Sequence, residues 1–537
     1  RRHHTGHSRH AGAAAALHPL GRTSISTGHV IFLAAENAAL RGGKVGGVGD
    51  VVRDLPAALG EHGWQASVLT PSYGHFHTLP GAKFLGSIGI EYRLAQESVA
   101  VYEVPGSADG VTNIVFDHKG FESLGDSIIY SEDGPTRPFA SDASKFALFG
   151  AAAAAWIYQL DEQPDVVHLH DWHAAFYLLM RHYAEHYEAL CRIPTVFTIH
   201  NLSYQGVRPL KGDESSLEAW FPGLKYLPLE IGDPHHADCI NPMAMAIRLA
   251  DRISTVSPTY AGEICRPSDP EHGFIGGEGL EGLLSDAYAD GRLVGILNGC
   301  FYNGPKGRRP GWQRVLGMVE DQLAAWPDTE ANRLAARTLA GLPKRRPPHV
   351  LTSIGRLVSQ KASLFFEKTP NGVAAIDEIL DQLGRKGVLI LIGSGEYIFE
   401  YQMLEAAKHH DNLLFLRGYS ETLADPVYRV GDLFLMPSSF EPCGISQMLA
   451  MRAAQPCVVH GVGGLRDTVE DGRSGFVFDG DTTAEQAGGF VAETLRALEL
   501  KSNNHDEWQK ICIRAANARF SWSKSARATI EQLYEHH

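Results

Sequence analysis

Short apolar runs alternate with helix-like stretches from residue 29 to the end of the chain. The runs are rich in Val, Ile and Leu and continuous, whereas a strand with one solvated face would alternate apolar and polar positions. The pattern therefore predicts strands buried on both faces of parallel sheets, joined by helices in βαβ units. The first series of predicted strands comprises Val30–Ala35, Ala66–Leu69, Val166–His170, Thr195–Ile199, Arg252–Val256 and Leu293–Leu297. The second series comprises Val350–Ile354, Val388–Ile392, Leu413–Leu416, Leu433–Met436, Cys457–Val459 and Phe476–Phe478.

A charged, proline-containing stretch separates the two series. It runs from Leu342 to Pro348 and interrupts the apolar pattern between them. We therefore predict an α/β protein with two doubly wound, Rossmann-like domains, the first at 29–345 and the second beginning at residue 346. The longest apolar run, Phe146–Tyr158, is shorter than the roughly 20 residues that a membrane-spanning helix needs. We predict that it forms a buried helix and that the protein does not bind a membrane.

Composition and charge exclude several other classes of protein. Hydrophobic residues make up 44% and charged residues 20% of the 537 positions, which is typical of globular domains and not of disordered chains. The formal net charge of −14 argues against a nucleic-acid or anionic-membrane partner. The seven cysteines are scattered without a CxxC pair. This indicates reduced thiols and predicts a cytoplasmic protein.

Residues 1–28 differ from the rest of the chain because they contain four arginines and no acidic residue. An Arg-rich, acid-free segment can be a transit peptide, which would direct the protein to a plastid. The same composition is expected of a disordered or artificially added tail. We favour the tail and exclude this leader segment from the predicted fold.

Two glycine pairs each follow a predicted strand and precede a predicted helix. They are Gly46-Gly47 and Gly463-Gly464. Glycines there let backbone N–H groups approach an anion at a helix N-terminus, and two such loops facing a cleft would suit a diphosphate. Taken alone, the two pairs would instead be typical of ordinary glycine turns. Lys44 adds an ammonium group beside the first pair. The first loop contains neither GxxxxGK[ST] nor GxGxxG, which argues against a nicotinamide-dependent oxidoreductase.

Charged side chains follow predicted strands of the second domain. Arg356 and Lys361 come after the first of these strands, and ligands bind at the carboxyl ends of strands in open α/β sheets. Two cations there are suited to a diphosphate leaving group. Glu441 lies in a Pro-flanked turn just before the predicted helix start at Gly444–Ser446. Its carboxylate could accept hydrogen bonds from sugar hydroxyls, or stabilise the helix N-terminus alone.

Polar residues also follow two strands of the first domain. His168, His170 and His173 lie within six residues, but they lack the Cys/His spacing of a zinc site. We predict no metal site and expect Asp171 and His200 to be polar residues lining the cleft. The segments Asp479–Asp481 and His235–Cys239 also contain metal-type ligands, but they are typical of ordinary turns and loops.

Taken together, these motifs resemble the glycogen/starch synthase family of glucosyltransferases. The resemblance extends from about residue 30 to the C-terminus. The segments that carry it are Lys44–Val51, Val167–His173, Thr198–Gly206, Ser254–Tyr260, Ile296–Gly299, Gly355–Leu357 with Gln360-Lys361, Phe440–Gly444, Gly463–Val469 and Phe520–Trp522.

The resemblance implies a GT-B fold, in which two Rossmann-like domains face a central cleft that binds a nucleotide-sugar. The resemblance places the end of the second domain at residue 510. It implies that residues 511–537 form a C-terminal helix that crosses back to the first domain. The implied reaction transfers glucose with retention from ADP-glucose to the 4-hydroxyl of an α-1,4-glucan. It requires neither a metal nor another cofactor, and its partners are the nucleotide-sugar donor and the glucan or oligosaccharide acceptor.

The resemblance also assigns roles to individual residues. Arg356 and Lys361 would hold the diphosphate, together with Lys44 and the backbone of Gly47. Gly444, Ile445 and Ser446 would add backbone contacts to it, and Tyr419 would stack on the base. Glu441, His200 and Asn298 would bind the glucose hydroxyls, and Asp171 would line the acceptor side. The matching motifs add further substrate-binding residues: Gly46, Asp50 and Cys443.

The chain departs from the family pattern at several positions beside these residues. The departures are Val45, Val48, Cys300, Phe301, Ala362, Ser439 and Ser446. They leave open a UDP- or GDP-glucose donor and a small-molecule or oligosaccharide acceptor. A non-catalytic glucan-binding relative is a further alternative, although binding alone would not need the diphosphate-binding cations. A glycosidase would need a carboxylate pair about 5–10 Å apart and would not explain the phosphate loops.

Overall fold

The computed structural model describes residues 27–122, 128–302 and 308–535. Residues 1–26, which make up nearly all of the predicted leader, lie outside the described residues. By its internal packing the chain divides into two compact units. Within the described residues, unit 1 comprises 27–195 and 206–249, and unit 2 comprises 196–205 and 250–535.

All twelve predicted strands are confirmed, and four have the predicted ends. The strands are β1 (Gly28–Leu33), β2 (Trp64–Pro71), β3 (Lys83–Tyr92), β4 (Ala95–Glu103), β5 (Val111–Asp117), β6 (Val166–His170), β7 (Thr195–Ile199), β8 (Arg208–Pro209), β9 (Cys239–Ile240), β10 (Arg252–Thr255), β11 (Leu293–Gly295), β12 (His349–Ile354), β13 (Gly387–Gly393), β14 (Leu413–Arg417), β15 (Leu433–Met436), β16 (Cys457–His460) and β17 (Phe476–Phe478).

Helices separate most of these strands, as the βαβ pattern predicts. The α-helices are α1 (Gly47–Gly60), α2 (Ala140–Tyr158), α3 (Phe176–Tyr183), α4 (Leu217–Trp220), α5 (Pro228–Ile231), α6 (Pro242–Leu249), α7 (Pro258–Glu263), α8 (Glu281–Ala289), α9 (Trp312–Ala325), α10 (Glu330–Gly341), α11 (Ser359–Phe366), α12 (Ala375–Leu383), α13 (Tyr397–His409), α14 (Glu421–Val430), α15 (Ser446–Arg452), α16 (Gly463–Thr468), α17 (Thr483–Asn503), α18 (His505–Asn517) and α19 (Trp522–Thr529). A π-helical turn, Ile530–Tyr534, follows α19.

Unit 1 contains a mixed sheet with the strand order β6-β1-β2-β5-β4-β3. Strands β6, β1, β2 and β5 are parallel, whereas β3 and β4 form an antiparallel hairpin that continues the sheet beyond β5. Strands β3, β4 and β5 were not predicted from the apolar runs, and the predicted purely parallel sheet is therefore incomplete. The second half of β3 alternates buried and exposed residues, so it lacks the continuous apolar run on which the prediction rested.

Unit 2 contains a six-stranded parallel sheet with the order β14-β13-β12-β15-β16-β17. Successive residues of its strands enter two different hydrophobic clusters: Leu389 and Leu391 belong to one, and Ile390 and Ile392 to the other. Because neighbouring side chains point to opposite faces of a sheet, both faces are covered. This explains the continuous apolar runs. Strands β7, β10 and β11 of the same unit are also parallel.

The predicted buried helix is confirmed as α2, in which nearly all side chains are buried. No helix in the described ranges is long and apolar enough to cross a membrane. The stretch from Leu342 to Pro348 contains neither helix nor strand. The boundaries at residues 345 and 510 stay predictions. All seven cysteines lie in described segments and are free thiols.

Candidate functional site

Glu441 and Lys361, both predicted to act on the donor, form an ion pair. Strand β15 ends at Met436, and in the turn that follows the residue Glu441 is only 5% exposed. Lys361 Nζ lies 2.7 Å from Glu441 Oε2, and the Ser438 hydroxyl donates to the same oxygen at 3.1 Å. Strands β12 and β15 are adjacent in the sheet. Lys361 lies in the helix that follows β12, and Glu441 lies in the turn that follows β15. The carboxyl ends of the parallel strands thus bring them together.

A small cavity of about 30 Å³ lies beside this ion pair. Arg356, Lys361 and Ser446 line it, so the predicted diphosphate cations face the beginning of α15. The backbone of Gly444 has a φ of +78°, a conformation that residues with a Cβ rarely adopt. Ile445 then caps α15. The predicted helix start after the Glu441 turn is confirmed.

The second glycine pair does not present its N–H groups to a ligand, and the anion-loop interpretation of Gly463-Gly464 is wrong. The Gly463 N–H donates to the Glu263 carboxylate at 2.9 Å, and the Gly464 N–H donates to the Glu441 carbonyl at 3.0 Å. A Cβ on Gly463 would lie 1.8 Å from the Glu441 carbonyl oxygen. The glycines are therefore required because α16 packs directly against the Glu441 turn.

Asn298 and Cys443 are neighbours, although 145 positions separate them in the sequence. The Asn298 backbone N–H hydrogen-bonds the Cys443 thiol. Burial nevertheless raises the pKa of that thiol to about 12, so it is neutral at physiological pH. Cys443 therefore connects the Asn298 loop with the Glu441 turn. It is positioned to support the site and not to act as a nucleophile.

The C-terminal segment packs against the Asn298 loop. The Cys300 N–H donates to the Phe520 carbonyl at 2.7 Å, and the Ser525 hydroxyl donates to the Leu297 carbonyl at 2.6 Å. A Cβ on Gly299 would meet the backbone of Trp522 at 2.6 Å. The Phe520–Trp522 motif thus fixes the loop that carries Asn298.

Two of the departures from the family pattern have local structural roles. Ser439 donates through both its N–H and its hydroxyl to the Gln360 carbonyl, at 2.8 and 3.1 Å. These bonds attach the Glu441 turn to the helix that carries Lys361. Ala362, beside that lysine, is 1% exposed and packs in a hydrophobic cluster. A larger side chain there would need space that the core does not have.

His200 and Tyr419 differ strongly in their exposure to solvent. His200 follows β7, and desolvation lowers its pKa to about 4, so the imidazole is neutral at pH 7. Tyr419 follows β14 and is 67% exposed, which leaves its ring accessible for stacking on a base. A Cβ on the preceding Gly418 would contact the Trp326 ring at 2.9 Å.

The first glycine loop, in unit 1, is organised by a buried carboxylate. Glu36 is 3% exposed and accepts the N–H groups of Val45 and Gly46 at 2.9 and 2.8 Å. A Cβ on Gly47, the first residue of α1, would meet no heavy atom within 4 Å. The space beside Gly47 is therefore open to a ligand, whereas the Gly46 N–H is already engaged.

Lys44 and Asp50, both predicted to bind substrate, form an ion pair at 2.8 Å. Asp50 lies in the first turn of α1, where the helix dipole favours a carboxylate. Arg53 lies 3.4 Å from the other carboxylate oxygen. Because the Lys44 side chain is 55% exposed, its ammonium can leave this pair for an incoming phosphate.

Asp171 is 5% exposed and has a φ of +57° and a ψ of 179° immediately after β6. A non-glycine residue in this region costs of order 1–3 kcal/mol, and such strain is concentrated at functional sites. Desolvation is the largest cause of the raised pKa of the Tyr130 hydroxyl, and the negative charges of Glu36 and, more weakly, Asp171 raise it further. Asp171 therefore lies near Tyr130, whose hydroxyl donates to Glu36 at 2.8 Å.

Sequence reasoning missed Glu36, Tyr130, Ser438 and Glu263. Glu36 had a usable signal, because it follows a predicted strand just as Glu441 does. Ser438 also had one, because it follows a predicted strand and its partner Glu441 is three positions away. Tyr130 and Glu263 had none, since their partners are distant in the sequence. Tyr130, for example, meets Glu36 across 94 positions.

The histidine segment of unit 1 packs in the core. His168 and His170 stack with ring centroids 4.4 Å apart, and both lie 4.9 Å from the Phe32 ring. No group of three or more His, Cys, Asp or Glu side chains within 27–122, 128–302 and 308–535 is arranged to hold a metal ion. Asp479, part of a DxD-like segment, pairs with Arg466 at 2.7 Å.

Two family models match the sequence. The model of the starch synthase catalytic domain matches residues 29–286, and the model of the family called glycosyl transferases group 1 matches residues 348–498. Glycogen synthase from Streptococcus gordonii is 33% identical to this chain, with 94% of this chain and 99% of that protein aligned. Glycogen synthase 1 from a Synechocystis strain is 34% identical over 93% of both chains.

Solved structures resemble the fold. The catalytic domain of starch synthase IV from Arabidopsis thaliana, bound to ADP and acarbose, superposes with a TM-score of 0.72 at 26% identity. That match covers 95% of this chain and 99% of the Arabidopsis chain. A sucrose-phosphate synthase from Thermosynechococcus elongatus, at 15% identity and a TM-score of 0.52, shares the fold alone. The predicted GT-B class, with two Rossmann-like α/β domains, is confirmed.

Proposed function

Because the chain belongs to the glycogen and starch synthase family of glycosyltransferases, we propose that it extends an α-1,4-glucan from ADP-glucose. Glucose would be added to the non-reducing 4-hydroxyl with retention of configuration. The observation that carries the proposal is the ion pair between the buried Glu441 and the partly buried Lys361 at the strand ends of unit 2. Such a pair places a sugar-binding carboxylate next to a phosphate-binding ammonium. A protein that only bound glucan would need no phosphate-binding cation there.

Arg356 and Lys361 neutralise the diphosphate of the donor in this proposal. Both line one cavity with Ser446, whose helix begins with N–H groups suited to phosphate oxygens. In unit 1, the space beside Gly47 is open and the Lys44 side chain is exposed, so both are accessible to a phosphate. These cations make a divalent metal unnecessary, and we propose a reaction independent of metals and other cofactors.

The glucose hydroxyls are bound by Glu441, His200 and Asn298. A neutral His200 both donates and accepts hydrogen bonds, as sugar hydroxyls require. Asp171 lines the acceptor side, and its strained backbone indicates that its position is functionally constrained. Tyr419 stacks on the base through its exposed ring.

The reaction breaks the bond between the glucose anomeric carbon and the β-phosphate oxygen and forms a bond to the acceptor 4-oxygen on the same face. The departing phosphate takes the acceptor proton, so no protein nucleophile is needed. Catalysis then comes from positioning and from stabilisation of the charge that develops on the leaving diphosphate. Arg356 and Lys361 are the residues that supply this stabilisation.

The Arabidopsis catalytic domain with ADP and acarbose supports ADP as the nucleotide and an oligosaccharide as the second ligand. Two bacterial relatives named as glycogen synthases support the glucan acceptor. The alternatives keep the same site and change the donor to UDP- or GDP-glucose, or the acceptor to a small molecule.

Release of the nucleotide tests the proposal. The purified protein is incubated with ADP-, UDP- or GDP-glucose, each with and without glycogen or maltooligosaccharides, and with and without EDTA. We expect ADP release that depends on glucan and is unchanged by EDTA. Release without stimulation by glucan would indicate another acceptor. No release with any donor, from protein that still binds ADP, would contradict the proposed reaction.

A further inference from the structure

Unit 2 contains a second, much larger cavity of about 970 Å³. Its lining comes mainly from α14, the end of α15 and α18, together with individual residues such as Tyr302, Arg309 and Arg346. This volume is within the range of small-molecule binding sites. The residues predicted to bind the donor and the glucan are not among those that line it.

The lining of this cavity is strongly cationic. Two carboxylates, Asp425 and Asp432, face six cationic side chains. The six are Arg309, Arg346, Arg429, Arg452, Lys501 and Arg519. The whole chain has a net charge of −14, so this excess of positive charge does not follow from composition. It indicates a cavity suited to an anion.

One carboxylate is shared by three of these cations. Asp432 lies 2.6 Å from Arg309, 2.9 Å from Arg346 and 3.8 Å from Lys501. Burial lowers the pKa of Lys501 and the pKa of Arg346. The negative charge of Asp432 raises both pKa values in part, and the neighbouring cations lower them further. A single negative charge does not neutralise three positive ones, so the group retains positive charge.

Arg452 and Arg519 are held by neutral groups. Arg452 donates to the Phe301 carbonyl at 2.6 Å, and the Arg519 guanidinium lies 4.5 Å from the centre of the Tyr302 ring. Among the ion pairs of the described residues, neither arginine has a carboxylate partner. Both are exposed. A guanidinium with free donors binds phosphate through two parallel hydrogen bonds.

We propose that this cavity binds a small anion that carries two or more phosphate groups. Arg452 and Arg519 would provide the direct contacts, and the Arg309–Arg346–Lys501 group would add positive potential. The site is separate from the predicted donor contacts, because Ser446 and Arg452 lie at opposite ends of α15. A helix of that length spans about 10 Å.

Inorganic pyrophosphate is the probe, and its affinity is measured by isothermal titration calorimetry with the full chain. We expect the double variant Arg452→Gln/Arg519→Gln to bind at least tenfold more weakly at this site, because it removes two charge-assisted hydrogen-bond donors to phosphate. The matched control, Arg333→Gln/Arg473→Gln, removes two exposed arginines of the same unit that pair with Asp328 and Glu470. It should retain wild-type affinity.

Lys361→Gln separates the two phosphate-binding regions. We expect one binding event to keep its wild-type affinity in this variant and to be weakened at least tenfold only in Arg452→Gln/Arg519→Gln. Circular dichroism checks that every variant is folded. Identical isotherms for the wild type and the Arg452/Arg519 variant would overturn the proposal. So would equal weakening in the Arg333/Arg473 control, or binding that disappears entirely in Lys361→Gln.

Discussion

The ammonium of Lys361 lies 2.7 Å from a carboxylate oxygen of Glu441. A diphosphate that binds Lys361 therefore competes with Glu441 for the same donor group. Glu441 is almost fully buried, so breaking the pair would leave a costly charge unless sugar hydroxyls donate to the carboxylate. The geometry thus favours binding of phosphate and sugar together as one donor molecule.

Glu441→Gln should separate nucleotide binding from turnover. The amide keeps the shape of the side chain and releases Lys361, so we expect the affinity for ADP to be unchanged or higher. The loss of a charged acceptor for the glucose hydroxyls should lower kcat about 100- to 1,000-fold. Steady-state kinetics and calorimetry with ADP measure the two effects. Wild-type turnover would remove Glu441 from the site.

Lys361→Gln should have the opposite effect on nucleotide binding. Loss of a charge-assisted hydrogen bond to phosphate corresponds to ADP binding that is about 10- to 100-fold weaker. Lys408→Gln serves as the control, because Lys408 pairs with Glu405 and Glu330 on the surface of the same unit. Equal ADP affinity for wild type and Lys361→Gln would refute the assigned phosphate contact.

Asp171→Gly and Asp171→Ala together isolate the backbone strain. Both remove the carboxylate, but only glycine adopts the φ of +57° without a Cβ penalty. We expect Asp171→Gly to be about 1–2 kcal/mol more stable than Asp171→Ala in urea unfolding. Glucosyl transfer to glucan should fall in both. If the two variants are equally stable, the native conformation at this residue is not strained.

Gly463→Ala and Gly47→Ala should affect stability in opposite directions. A Cβ on Gly463 overlaps the Glu441 carbonyl, so we expect a loss of at least about 3 kcal/mol or no folded protein. A Cβ on Gly47 meets no atom, and alanine there reduces the conformational freedom of the unfolded chain, which stabilises the fold by about 0.4–1 kcal/mol. Thermal unfolding compares the two variants. If Gly463→Ala unfolds at the wild-type temperature, the close contact is wrong.

His200 should not titrate near neutral pH. Its folded pKa of about 4 lies below the ordinary value of 6.5, so protonation favours the unfolded chain. This contribution to stability is complete above pH 6.5 and decreases as the pH falls towards 4. We expect a loss of about 2 kcal/mol at pH 5 relative to pH 8, absent in His200→Asn. NMR that shows His200 titrating near pH 6.5 would contradict this.

The apolar runs predicted the strands of the parallel sheets because burial on both faces leaves a continuous signal. The hairpin of β3 and β4 carried no such signal, since much of it faces solvent. The Glu441 turn and the helix after it could be predicted from local residues. The structural role of Gly463 could not be predicted, because its N–H donates to Glu263, which lies 200 positions earlier in the sequence. A glycine pair has the same local pattern whether it faces a ligand or another segment.

The contact between α16 and the Glu441 turn has a consequence for protein engineering. Residues 441–444 and 463–464 form one mutually fitted module, although the helix α15 and the strand β16 separate them along the chain. A chimera that imports the Glu441 turn from a relative without its matching glycine pair would inherit a steric conflict. Exchange of donor specificity between relatives should therefore transfer the whole stretch from β15 to α16.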